Sequence, residues 1–156
     1  MTVYLWLKLL HLTGVVLFLG NITVGVFWKA FADRSGNLTI MAATMDGIIR
    51  ADRVFTIPGI IILLIGGFAA AFYGGFPILS TGWILWGLTL FILSGLAFGP
   101  LSRAQRAISA AAHAGNLADY ERLSKGWNTW GTIALVLPAI AFAIMILKPA
   151  LPAFHR

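Results

Sequence analysis

The sequence predicts an all-α membrane protein: a four-helix transmembrane bundle, N-out and C-out, with helical extensions on the cytoplasmic side. Three observations predict it. The first is composition: of 156 residues, 60% are hydrophobic and 10% charged, against about 25% charged in soluble domains. The second is that four apolar segments each approach or exceed the ~20 helical residues needed to cross a bilayer. The third is the uneven spread of Lys and Arg over the connecting segments. The 11 basic residues outnumber the 5 acidic ones for a net charge of +6. They gather between helices, so membrane orientation explains them and no nucleic-acid partner is expected. The chain has no cysteine, which removes disulfides, iron–sulfur clusters and thiolate chemistry.

The chain reads as one domain, 1–156, with spans at about 3–32, 53–73, 82–101 and 126–147. Lipid offers backbone groups no hydrogen-bond partner, so each span must be a helix. The first carries Ala30-Phe31-Ala32, which has the form of a signal cleavage site. It lacks a basic leader and outruns a signal core of ~7–15 residues, so it reads as a retained helix. The second helix is expected to begin before the membrane, near Thr39–Met45, with Asp46 and Arg50 spaced to pair. After the uncharged connection GGFPILST, the third helix is expected to run past Pro100 into the basic segment SRAQRAISAAAHA. Gly115 suits a left-handed residue closing that helix, and Asn116 suits the N-cap of the next, with Asp119 three residues on. Glu121 and Lys125 are spaced to pair. The tail KPALPAFHR is broken by two prolines and reads as irregular.

The first and third connections and their flanks hold Lys29, Arg34, Arg50, Arg53, Arg103, Arg106, Arg122 and Lys125. The termini hold Lys8, Lys148 and Arg156, and the second connection holds no charge. The positive-inside rule then sets both termini outside a bacterial inner membrane. Glycine stripes at Gly14 and Gly25, at Gly59 and Gly66, and at Gly95 and Gly99 mark faces where helices approach one another, within one chain or in a homo-oligomer. The six tryptophans fall near span ends, as an interfacial belt does.

Polar residues within the spans are the candidate site. His11 lines up with Tyr4, Phe18 and Ile22 on the first helix. A histidine flanked by aromatics in a bundle is the arrangement that ligates haem b; the other reading is a histidine bonded to a neighbouring helix. The remaining histidines, His113 and His155, fall outside the spans. A sixth ligand would come from Lys8, Met145 or a second protomer. Lys8 can equally snorkel to the interface, and Met145 can simply pack. Asn21 can join helices or line a polar pathway. Asp52 and Arg53 stand at the mouth of the second span, where they can pair with each other or Arg103, or be solvated. The membrane core carries no carboxylate on this reading, which argues against a proton-coupled transporter. No nucleotide-binding loop, serine elbow or zinc-protease motif occurs.

The segments LKLLHLTGVVLFLGNITVGVFW, ADRVFTIPGIIILLIGG and YERLSKGWNTWG, with the closing ILKP, resemble a bacterial family of predicted integral membrane proteins, domain of unknown function 2269. The likeness spans most of the chain and implies the four-helix layout without an activity. More distantly, the pattern LKxLHxxxxxxxxG and a closing Tyr-x-Arg-Leu helix ending in Lys-Pro are similar to the haem-b-binding membrane protoporphyrinogen oxidases. The matching positions are Lys8, His11, Tyr120, Arg122, Leu123, Lys148 and Pro149. That likeness implies haem b with His11 as axial ligand and a membrane oxidoreductase with a redox partner. The middle-helix lysine of that family has no counterpart, because no lysine occurs between Lys29 and Lys125. The alternatives are a haem-free module that binds or transports a small hydrophobic molecule or metal ion, and a structural accessory subunit.

Overall fold

The computed structural model describes residues 2–154. His155 and Arg156, counted above among the histidines and terminal charges, lie outside the described residues. The chain folds as α1 (Thr2–Ser35), α2 (Leu38–Ala51), a π-helical turn (Asp52–Thr56), α3 (Ile57–Tyr73), α4 (Gly82–His113) and α5 (Leu117–Leu147). No strand occurs among the described residues. Four helical segments are long and apolar enough to cross a membrane: Val3–Ser35, Leu38–Tyr73, Gly82–His113 and Leu117–Leu147. Each also exceeds the ~30 Å hydrocarbon thickness at 1.5 Å per residue, so the helices project beyond it. The ends with the first and third connections carry most of the basic residues; this is the basic end, and the opposite one is the terminal end.

Local signals set the helix boundaries. Gly36, at φ +63°, ends α1 in a left-handed turn. The Asn37 side chain then accepts from the backbone N–H groups of Thr39 and Ile40 and starts α2. Gly115, at φ +73°, and Asn116, which accepts from Asp119 N at 3.0 Å, separate α4 from α5. The second helix begins at Leu38 and runs into α3 without a break. Pro58 explains the widened turn between them. Its missing N–H and its ring disrupt the bond that would reach back four residues, to Val54. The backbone instead pairs Ile57 N–H with the Asp52 carbonyl, five residues back. Pro138 acts similarly inside α5: the Ala134 carbonyl it leaves free accepts from Ser94 Oγ of α4 at 2.9 Å.

The helices pack chiefly as two pairs, α1 with α3 and α4 with α5, with α2 against α4 and α1. Glycine brings α1 and α3 together. A Cβ on Gly66 would stand 2.6 Å from His11 N, and one on Gly59 would stand 2.9 Å from Phe18 N. Gly14 is buried against Gly59 and Leu63. Gly95 and Gly99 meet nothing within the chain. The densest apolar core lies at the basic end and joins Ala32, Met41, Met45, Ile108, Ala112 and Tyr120.

The tail is irregular, as expected, yet it is fixed in place. Lys148 caps α5 in the left-handed region, at φ 47°. The segment then folds back over the terminal end, where Trp86 Nε1 donates to Pro152 O at 3.0 Å and Phe154 N donates to Leu79 O at 3.1 Å. Gly82 leaves room for Leu151.

Candidate functional site

Two cavities lie in the helical bundle. The one toward the terminal end has a volume of about 180 Å³ and is lined by all four long helical segments. Its wall is almost wholly apolar and includes Leu12, Val15, Phe18, Leu63, Phe91 and Ala141. Phe18 and Phe91 meet edge to face at 5.5 Å. Lys8 and Lys148 contribute to the wall, whereas no carboxylate does. Lys148 Nζ sits 5.0 Å from the Trp83 ring centre and 6.0 Å from that of Phe76, close enough for cation–π attraction.

His11, Lys8 and Met145 all reach this first cavity. His11 is also bonded to a neighbouring helix: its Nδ1 lies 2.8 Å from the Leu63 carbonyl, the donor position in the corresponding tautomer. The ring fits over Gly67, where a Cβ would stand 2.8 Å from Nδ1. Met145 packs on Gly87, where a Cβ would approach its methyl at 2.6 Å. These contacts fix the first ring nitrogen and leave only Nε2 for an iron. The volume is also well below the roughly 300–1,000 Å³ of pockets that enclose drug-sized ligands. The arrangement therefore does not fit a haem enclosed within one chain. No group of three or more His, Cys, Asp or Glu forms a metal-binding set among the described residues.

The second cavity, about 360 Å³, lies toward the basic end and is lined by Asn21, Asp52, Gln105 and Trp127, among apolar neighbours. Asp52 is buried, 6% exposed. It pairs with neither Arg53 nor Arg103, and it is not solvated at a helix mouth. The π-helical turn aims it inward, where Oδ1 accepts from Thr56 Oγ1 at 2.8 Å and Asn21 Nδ2 at 3.1 Å. Oδ2 accepts from Gln105 Nε2 at 2.8 Å. Arg53 is exposed. This placement corrects the expectation that the bundle interior carries no carboxylate.

A third cluster fixes α1 to α5. Lys29, read above only as a flanking charge, is 1% exposed. Its Nζ meets Asp33 Oδ2 at 2.7 Å and Ser124 Oγ at 3.0 Å, and it stands 4.8 Å from the Tyr120 ring centre and 5.4 Å from that of Trp127. Tyr120 Oη donates to Asp33 Oδ1 at 2.6 Å. Trp127 is therefore a core residue and departs from the interfacial belt, whereas Trp6, Trp28, Trp86 and Trp130 are exposed. Beyond the apolar spans, Asp46 bonds Ser109 Oγ at 2.6 Å and His113 Nε2 at 2.8 Å; the expected Arg50 partner is not used. The Ser109 bond, followed by the His113 bond, holds the Asp46 carboxyl below its ordinary value. Arg122 pairs with Asp119 at 2.8 Å. The expected Glu121–Lys125 pair does not form.

The long apolar helices, the interior polar cluster and the basic residues at one end define an integral membrane protein that spans the bilayer as a four-helix bundle. Its sequence matches the profile of the predicted integral membrane protein family DUF2269 over residues 5–149, and the chain belongs to that family. No curated protein and no solved structure matches it.

Proposed function

We propose that the protein binds a small lipophilic molecule with an acidic head group in the terminal-end cavity. The observation that carries this reading is the wall itself: an apolar chamber whose charged groups are Lys8 and Lys148, with no carboxylate. An apolar tail would lie against Phe18, Phe91 and Ala141, excluded from water. A carboxylate or phosphate head would remain near the two ammonium groups at the interface. Orientation follows from the positive-inside rule, with the basic end in the cytoplasm of a bacterial inner membrane and the cavity on the outer side. Cysteines introduced at Gly75 and Ala112 would then label from opposite sides, with Gly75 outside.

The test uses protein in nanodiscs and a dansyl-labelled fatty acid, compared with its uncharged alcohol. The acid is expected to bind saturably, and Lys8→Ala combined with Lys148→Ala should weaken it about tenfold while leaving the alcohol unchanged. Val15→Trp, which fills the chamber, should abolish both. Equal binding by wild type and Val15→Trp would overturn the reading. A Soret band in protein from haem-supplied cells, lost in His11→Ala, would favour haem b instead.

A further inference from the structure

We propose that Asp52 is a membrane-embedded proton-binding site, loaded from the basic end through the cavity it lines. Its depth comes from its partner. Asn21 lies eight residues, or about 12 Å, along α1 from Lys29 toward the terminal end. That places the carboxyl inside the apolar layer, where an ionised group is costly unless a cation pairs with it. No cation does. The bonded partners Asn21, Thr56 and Gln105 are all neutral. On α1, Lys29 is held by Asp33 and Ser124. Arg50 and Arg53 on the same helical segment, and Arg103 and Arg106 on α4, are exposed. From α5 the cavity wall receives Trp127, Gly131, Ala134 and Leu135, all uncharged.

A proton is the simplest charge that could neutralise this group. Oδ1 receives two hydrogen bonds and Oδ2 only one, so Oδ2 keeps a lone pair for it. The step moves one proton from a hydronium ion to Oδ2, forming one O–H bond and leaving water. Access is built in. The cavity extends from Asp52 to Trp28 and Thr44 toward the basic end, and its 360 Å³ exceeds the ~30 Å³ share of one water several-fold. Trp127, on the same wall, has a buried indole N–H without a protein partner, a donor a water chain could satisfy. The π-helical turn that points Asp52 inward is a distortion often found at functional positions.

Infrared difference spectroscopy of the full chain in nanodiscs tests the proposal. On acidification the wild type should gain the C=O stretch of a poorly hydrated carboxylic acid, and Asp52→Asn should lose it. Thr44→Trp, which plugs the route, should retain the band but slow its appearance after a pH jump at least tenfold. That variant decides the access route if Asp52→Asn does not fold. A band that survives in Asp52→Asn, an absent band in wild type, or an unchanged rate in Thr44→Trp would overturn the proposal. So would removal of the band at fixed pH by sodium chloride but not choline chloride, which would make the site one for a metal cation.

Discussion

Replacing Lys29 with methionine removes a charge while keeping most of the side-chain length. Three interactions vanish together. The bond to Asp33 is an i,i+4 pair whose carboxylate is 37% exposed, so screening reduces it to about 1 kcal/mol at most. The bond to Ser124 Oγ is buried and contributes about 1 kcal/mol after discounting for the flexible ammonium. The Tyr120 and Trp127 rings together add about another 1 kcal/mol. The sum of about 3 kcal/mol corresponds to a fall of about 6–12 °C in melting temperature for a chain of this size. The assay is thermal unfolding in detergent followed by intrinsic fluorescence, with Asp33→Asn and the double variant closing a cycle. A coupling of about 1 kcal/mol between Lys29 and Asp33 is expected. The reasoning is refuted if Lys29→Met melts within about 2 °C of wild type, because a cation in that environment cannot be lost without cost.

Two further substitutions probe helix contacts inside the membrane. Gly66→Ala drives a methyl into the α1 backbone at His11 and should cost about 1–3 kcal/mol, whereas Gly95→Ala, which meets nothing, should change the melting temperature little. Ser94→Ala strands the Ala134 carbonyl at a cost of about 1–2 kcal/mol, and Pro138→Ala should cancel most of that loss by restoring the helical donor; additive losses in the double variant would discount the carbonyl account.

Legibility followed the range of each interaction. Asn116 and Gly115 could be read because a cap is satisfied within four residues of itself. The spans were legible from hydropathy, although the helices overrun them at the basic end. Asp52 was not, because Arg53 beside it made the pair look like a hydrated loop, and its partners stand 31 and 53 residues away. A local signal did exist: Thr56 four residues on and Pro58 two beyond mark a disturbed turn with a polar face. Lys29 carried a similar signal in Asp33, but the Ser124 hydroxyl is 95 residues distant. His11 stood out in sequence, yet the glycines opposite it on α3 determine that its ring lies against a backbone carbonyl.

The apolar core at the basic end sits where the helices leave the bilayer, and this gives assembly a direction. Among lipid tails, burying one leucine against another gains little from water exclusion, so contact there depends on close glycine packing and hydrogen bonds. Beyond the headgroups water is present, and enclosing Met41, Met45 and Ile108 releases it as in a soluble protein. The bundle should therefore zip from its aqueous end inward, with the four helices inserted first and tightened into register afterward. A lesion in α2 that loosens this clasp would splay the membrane-embedded portions without touching any of them.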